Sequence, residues 1–247
     1  MATGQYSLLE RFASAIKSLP ENLPESSVRQ PSLLLEQRGP VSIYYAPFDY
    51  INESARLVLV GITPGAHQMH VALMQARKDL RAGLPLATAA EHVKYAASFH
   101  GPMRAHLVRM LDGVGVAARL GLSTTGTLFD RDRPLLHTTS ALRYPVFVNG
   151  RNYSGHSPNT LSEPLVGYID RYLADDLARV SHALIVPLGD SVGAAVAHLV
   201  RRGVLAKARC LLGFPHPSGG NGWRERHFSA RRETMQATVN VWFGHPV

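Results

Sequence analysis

Two short segments rich in glycine, proline and histidine are the places where this chain could carry out chemistry. The first is "GITPGAHQ" at residues 61–68, and the second is "GFPHPSGGNGWRERHF" at residues 213–228. Each follows a short apolar run, so each is predicted to lie at the end of a buried strand. Glycine lets the backbone approach a ligand closely, and histidine can donate a hydrogen bond or carry a proton. Both segments are therefore candidate parts of a binding or catalytic site.

The sequence does not support several other kinds of site. "GVGVAA" (113–118) fits a dinucleotide-binding pattern loosely, but no strand precedes it. The chain has no Gly-x-Ser-x-Gly turn, no phosphate-loop lysine motif and no His-Glu-x-x-His. His67 and His70 have helical spacing without an implied third ligand, so we predict no metal site. The lone Cys210 excludes disulfides and cysteine-held clusters within the chain.

The elements that must position the two segments alternate between strands and helices. We predict core strands over 55–62, 134–142, 182–189 and 208–215, and an edge strand over 41–48. Helices are predicted over about 5–18, 69–83, 102–121, 162–180, 190–203 and 225–240. This order favours a parallel sheet between helices, with ligands bound beyond the carboxyl ends of its strands.

Length and charge narrow the class of protein. The 247 residues predict a single domain over 1–247, with an N-terminal helix and a Pro- and Ser-rich arm at about 1–40. The chain has 26 Lys and Arg against 18 Asp and Glu, a net charge of +8, which fits either a polyanionic partner such as nucleic acid or a basic enzyme from a host of Arg-rich composition. No apolar run approaches ~18 residues and no export signal is evident, so we expect a cytoplasmic protein with no membrane partner.

Taken together, the motifs resemble those of a known family. "GITPG" after an early strand and "HPSGGN" after the last, about 150 residues apart, resemble the two signature motifs of the uracil-DNA glycosylase superfamily. "TTSALRYP" (138–145) falls where that family has its middle strand. The resemblance covers roughly 55–230. It implies a three-layer α/β/α sandwich with a central four-stranded, mainly parallel sheet.

The resemblance also implies an activity, which is excision of uracil or a related deaminated base from double- or single-stranded DNA by a monomer without a cofactor. His216 would donate a hydrogen bond to the carbonyl of the leaving base. The base would lie against Gly61, Ile62, Pro64, Gly65 and Ser140, stacked on Phe99 with Tyr95 behind it. The residues expected to contact DNA are Ser218, Gly219, Gly220, Asn221, Trp223, Arg224 and Arg226, with Arg231 and Arg232 extending the basic strip.

The chain departs from the family pattern at the position of the water-activating group. Thr63 stands where most members carry Asp or Asn, and a threonine hydroxyl cannot act as a base near neutral pH. Thr63 remains a candidate catalytic position, although it could instead cap the following helix. His67 could orient the water, and Asp190 is a weaker candidate for the missing acid.

Two further departures concern the fit of the base. Gly220 stands where the family has an apolar wedge that fills the gap left by the flipped base. Trp223 could supply that wedge or could pack in the core. Gly65 and Ala66 stand where uracil-strict enzymes carry a bulky tyrosine, so a roomier pocket could accept hypoxanthine or xanthine.

Three functional hypotheses remain open at the level of sequence. The chain could be an active DNA glycosylase, or a superfamily member that binds DNA or a nucleobase with little or no cleavage. It could also be a different α/β enzyme that acts on a nucleotide or phosphate ligand.

Overall fold

The computed structural model describes residues 4–97, 102–130, 132–218 and 222–244. The chain divides into two compact units. The first unit comprises Met1–Tyr50, Thr63–Ser98 and Leu142–Pro158, and the second comprises Ile51–Ile62, Phe99–Ala141 and Asn159–Val247. The segment 61–68 is therefore divided, with Gly61 and Ile62 in the second unit and the rest in the first.

Strands and helices alternate along much of the chain. The strands are β1 (Leu34–Arg38), β2 (Val41–Tyr44), β3 (Leu57–Gly61), β4 (Leu136–Ser140), β5 (Val146–Val148), β6 (Arg151–Asn152) and β7 (Leu184–Pro187). The α-helices are α1 (Ser7–Lys17), α2 (Ala66–Arg81), α3 (Leu86–Ala96), α4 (Pro102–Gly113), α5 (Val116–Leu120), α6 (Leu165–Tyr168), α7 (Ala174–Arg179), α8 (Asp190–Arg201) and α9 (Arg224–Gly244). A π-helical turn, Ile169–Leu173, joins α6 to α7.

The second unit is built on a parallel sheet with the strand order β4-β3-β7. The run from Leu57 to Val60 is completely buried, as expected for a central strand covered on both faces. One core cluster joins Leu57 and Leu59 of β3 to Leu107 of α4 and to Val239 of α9. This packing fixes the sheet whose carboxyl edge carries the candidate site.

The first unit holds an antiparallel sheet with the order β1-β2-β5-β6. Helix α1 buries Leu9, Phe12 and Ile16, whose spacing of three and four residues places them on one face. The ring of Phe12 stacks on that of Tyr45, with ring centroids 4.6 Å apart.

The predicted α/β class is confirmed, and so are the strands predicted over 55–62, 134–142 and 182–189. The edge strand predicted over 41–48 is wrong in its placement, because β2 lies inside the antiparallel sheet between β1 and β5. Each predicted helix overlaps an observed one, whereas α3, β1, β5 and β6 were not predicted. Within the described ranges, no helix combines the length and apolar character needed to cross a membrane.

The strand predicted over 208–215 is not formed, so the described part of the parallel sheet has three strands. Only one isolated parallel bridge, between Ile185 and Cys210, continues the sheet beyond β7. Leu212 N donates to Cys210 O at 2.9 Å, a tight turn that interrupts the regular strand pairing after this bridge. Gly213 then adopts a φ of +83°, which no extended strand can accommodate.

Candidate functional site

The carboxyl ends of the parallel strands bring together two residues predicted for base binding. Gly61 and Ser140 are register partners at the ends of β3 and β4. Ala141 N donates to Gly61 O at 2.8 Å, which extends the pairing one step past the strands. Ile62, half-buried, is the last residue of this stretch of the second unit. The predicted proximity of Gly61 and Ser140 is thus found.

His216 lies beside the end of β7 because the loop that carries it packs on Gly189. Gly189 N donates to Phe214 O at 2.9 Å. A Cβ atom added at Gly189 would lie 3.1 Å from Cβ of His216, and Gly189 has a φ of +93°. Glycine therefore meets two demands here, a left-handed backbone and a close approach to the histidine. The contact places His216 at the edge where β7 ends.

Replacing Gly189 by alanine is expected to lower the free energy of unfolding by about 1–3 kcal/mol and to displace His216. The added methyl group would meet the histidine at a distance that real Cβ contacts rarely show. Urea unfolding would measure the loss of stability, and the NMR chemical shifts of the His216 ring would measure its displacement. Gly203→Ala is the matched control, since Gly203 has a φ of +73° and open space around it. If both variants behaved alike, the contact with His216 would have no role.

The protonation state of His216 is set by its own loop. Ser218 N donates to Nδ1 of His216 at 3.2 Å, so the proton of the neutral ring is on Nε2. Burial lowers the pKa of His216, because the charged ring is poorly solvated there. His216 is therefore neutral at pH 7 with a donor at Nε2. That state suits a hydrogen bond to an oxygen that gains negative charge.

Two side chains hold the His-Pro-Ser loop by its carbonyl oxygens. His106 Nδ1 of α4 donates to Pro217 O at 3.1 Å. Arg224 Nη1 of α9 donates to Ser218 O at 2.6 Å, and its side chain is only 12% exposed. Arg224, which was predicted to contact DNA, therefore braces the loop. His106 was not predicted, and no feature of the sequence distinguishes it from the other histidines.

The start of α9 presents an exposed aromatic ring. Trp223 is 62% exposed, so it does not pack in the core. The guanidinium carbon of Arg226 lies 5.5 Å from the centroid of that ring. Arg231 and Arg232, predicted as a basic strip, donate instead to Gly213 O and Gly113 O, both at 3.0 Å. Of the predicted basic residues on this helix, Arg226 is the one that contacts the ring of Trp223.

Thr63, in the first unit, connects the turn after β3 to the segment before β5. Its hydroxyl donates to Tyr144 O at 3.0 Å and accepts from Val146 N at 3.1 Å. The N-cap of α2 is Gly65, so the interpretation of Thr63 as a helix cap is wrong. The Thr63 side chain therefore links two backbone groups within the first unit, and its hydroxyl is engaged both as a donor and as an acceptor.

Valine has nearly the same shape as threonine but no hydroxyl. Replacing Thr63 by valine is expected to lower the free energy of unfolding by about 1–3 kcal/mol, because two backbone groups would lose their part-buried hydrogen-bond partner. Thr63→Ser keeps the hydroxyl and should retain most of the stability. Chemical unfolding of both variants measures the difference. An equal loss in the serine variant would show that the methyl group, not the hydroxyl, is what matters.

The remaining predicted residues of this turn have partners that the sequence did not reveal. Pro64 is buried. Asn152 Oδ1 accepts from Ala66 N at 3.0 Å, and a Cβ atom at Gly65 would lie 3.2 Å from Asn152 Nδ2. His67 Nδ1 lies 2.9 Å from Glu25 Oε2, with side chains 75% and 50% exposed. A carboxylate that accepts from Nδ1 leaves Nε2 of the neutral ring as an acceptor, the arrangement needed to orient water.

The first unit also buries the carboxylate of Asp49 between two tyrosines. Tyr45 and Tyr144 each donate a hydroxyl to Asp49 at 2.7 Å, to Oδ2 and Oδ1 respectively. Burial raises the pKa of Asp49, and hydrogen bonds from the tyrosines and the charge of Arg143 offset that only in part. Tyr144 also supplies the carbonyl that holds Thr63. No feature of the sequence indicates this network, because Tyr144 is 95 residues away from Asp49 along the chain.

Several predicted residues play no visible part in these arrangements. Phe99, Gly219, Gly220 and Asn221 lie outside the described residues. Asp190 is 84% exposed and lies 3.8 Å from Arg231 Nη1. The Tyr95 hydroxyl donates to Glu91 Oε1 at 2.8 Å. Among the described residues, no group of three His, Cys, Asp or Glu side chains is placed to hold a metal ion.

The chain is similar over nearly all of its length to a protein of Bacillus subtilis. It is 37% identical over 236 residues to the uncharacterized protein YoxB of Bacillus subtilis (strain 168), covering 94% of this chain and 92% of that protein. No family model matches the chain. No solved structure matches it either.

Proposed function

The chain belongs to the family of this Bacillus subtilis protein, and from the chemistry of its residues we propose that it is a DNA glycosylase that excises uracil or a related deaminated base. The observation that carries the proposal is His216, a neutral histidine whose tautomer is fixed by Ser218 N. It lies at the carboxyl edge of a parallel sheet, where α/β proteins bind their ligands. The resemblance of "GITPG" and "HPSGGN" to the glycosylase motifs agrees with this assignment.

In the proposed reaction, the bond between the sugar C1′ and the base nitrogen breaks and its electron pair moves to the base. The negative charge spreads onto a carbonyl oxygen of the base, where Nε2–H of His216 donates a hydrogen bond. Water supplies the oxygen that bonds to C1′, and the proton it releases ends on the departing base. The base must first leave the helical stack, as in other enzymes that act on nucleobases.

Within the first unit, His67 is the residue whose hydrogen bonding suits the orientation of a water, because the Thr63 hydroxyl is engaged with Tyr144 and Val146. Glu25 supports this role, since its carboxylate accepts from Nδ1 and leaves Nε2 as the acceptor. Within the second unit, we assign the contact with the base to Gly61, Ile62 and Ser140, as the resemblance implies.

We also propose a finer description of the fold, a three-layer α/β/α sandwich in which the segment after Cys210 takes the place of the fourth strand of a mainly parallel sheet. Hydrogen bonds on both sides of the Cys210 bridge support it. Leu211 N donates to Ile185 O at 2.8 Å, and Gly189 N donates to Phe214 O at 2.9 Å. The segment 210–214 thus runs beside β7, where a fourth strand of such a sheet would lie.

The test is an excision assay with single- and double-stranded oligonucleotides that carry uracil, hypoxanthine or xanthine. We expect release of at least one free base, detected directly and as alkali-sensitive abasic sites. A preparation made in parallel from cells that do not express the protein sets the background for contaminating glycosylases. No release above that background from any of the three lesions would contradict the proposal.

A second candidate is a protein that binds a damaged base or DNA without cleaving it. The engaged hydroxyl of Thr63 favours this candidate, because no carboxylate or amide occupies that position. It predicts tighter binding to lesion-bearing than to intact oligonucleotides, with no base released. Fluorescence anisotropy on the same oligonucleotides separates the two candidates.

A further inference from the structure

Trp223 is an exposed aromatic side chain that directly precedes helix α9. It is the most exposed of the large apolar side chains in the described ranges, at 62%. Its carbonyl oxygen accepts from His227 N at 2.9 Å, which fixes its backbone at the start of α9. Burying a tryptophan normally stabilises a protein, so a fixed and exposed one is typical of a binding surface.

The arrangement around the ring restricts what can bind there. Arg226 lies over the Trp223 ring, with its guanidinium carbon 5.5 Å from the ring centroid. Within the part of the chain that the structure describes, no carboxylate forms an ion pair with Arg226. A ligand at this place therefore meets an aromatic face beside an uncompensated positive charge. A nucleotide, with a flat base and a phosphate, matches both features.

The same geometry distinguishes between paired and unpaired bases. A ring that wedges into a duplex has both faces against base pairs, whereas one face of Trp223 is covered by Arg226. An unpaired base needs only one open face. The neighbouring Arg224 holds the loop of His216 through Ser218 O, so the platform is connected to that loop.

From these contacts we infer that Trp223 and Arg226 form a stacking platform for an unpaired base of single-stranded nucleic acid. The ring stacks on the base, and Arg226 attracts the adjoining phosphate. This site goes beyond base excision and does not depend on it, because a strand without any lesion would bind in the same way. It also replaces the duplex wedge predicted for Trp223 from the sequence.

The experiment uses the full chain with Trp242→Phe, which leaves Trp223 as its single tryptophan because the sequence has 2. A thymidine strand of about 12 nucleotides should quench Trp223 emission. A strand of the same length with abasic sugars should bind through its phosphates without quenching. In the otherwise native chain, Trp223→Leu should weaken binding of the thymidine strand by about 5- to 150-fold and leave binding of the abasic strand unchanged.

Val241→Ala is the matched control, since Val241 is 54% exposed on the same helix and should not affect binding. A blunt duplex should show no dependence on Trp223. The platform is overturned if Trp223→Leu leaves thymidine-strand affinity unchanged, if the abasic strand quenches equally, or if the duplex depends more strongly on Trp223. Because neither strand carries an excisable lesion, the result is independent of whether the protein is a glycosylase.

Discussion

Replacing His216 by alanine is expected to slow base release by about 10²- to 10³-fold while DNA binding changes little. In the proposed reaction the histidine acts where charge develops, on the oxygen of the departing base, and the ground state carries little charge there. Its neutral state is maintained by burial, and its tautomer by Ser218 N. Single-turnover release measured with enzyme in excess reports the chemical step directly.

Two comparisons make this result specific. His216→Gln retains an amide donor and should lie between the native and alanine proteins. His182→Ala changes an exposed histidine of the same unit and should have no effect. Equal rates for the native and His216→Ala proteins, with base release intact, would remove His216 from the reaction and leave the glycosylase assignment to other residues.

The strands of the parallel sheet could be predicted because their burial is visible in the sequence. Leu57 to Val60 is an unbroken apolar run, and such runs are typical of strands covered on both faces. The run at Cys210 to Leu212 has the same character, yet the turn at Leu212 and the positive φ of Gly213 end the pairing after one bridge. Local apolarity shows that a segment is buried, but it does not show how far its hydrogen bonds extend.

The partners of the candidate residues could not be predicted, because they come from distant parts of the chain. The sequence shows that Thr63 cannot be a base, but not that Tyr144 and Val146 engage its hydroxyl. It also singles out His216, but not His106, which braces the same loop from α4. Strand β5 was missed for a similar reason, since its pairing with β2 joins segments about 100 residues apart.

Replacing Asp49 by alanine is expected to lower the free energy of unfolding by about 3–5 kcal/mol, the largest effect on stability that we predict. Tyr45 and Tyr144 are both fully buried, and each would lose the carboxylate oxygen that accepts its hydroxyl. The loss would also loosen the segment whose carbonyl holds Thr63. Urea unfolding of the native and variant proteins measures it.

The physical cause can be isolated by removing the donors as well. In a Tyr45→Phe, Tyr144→Phe background the hydroxyls are absent, so Asp49→Ala should lower stability far less than in the native protein. An equal loss in both backgrounds would assign the effect to packing around Asp49 rather than to its hydrogen bonds.

The pH dependence of the free energy of unfolding tests the environment of Asp49 independently. Burial raises the pKa of Asp49 in the folded protein above its unfolded value of about 3.9, so the folded state keeps the proton longer as pH rises. Its contribution to stability is therefore fully present below about pH 3.9 and is lost as pH rises through the raised pKa. The Asp49→Asn variant does not titrate at this position. Relative to it, the native protein should lose stability between about pH 3.9 and the raised pKa, and above that pKa the difference in stability should stay constant. A relative gain with rising pH would mean that the tyrosines and Arg143 outweigh burial, and that Asp49 is held as a charged acceptor.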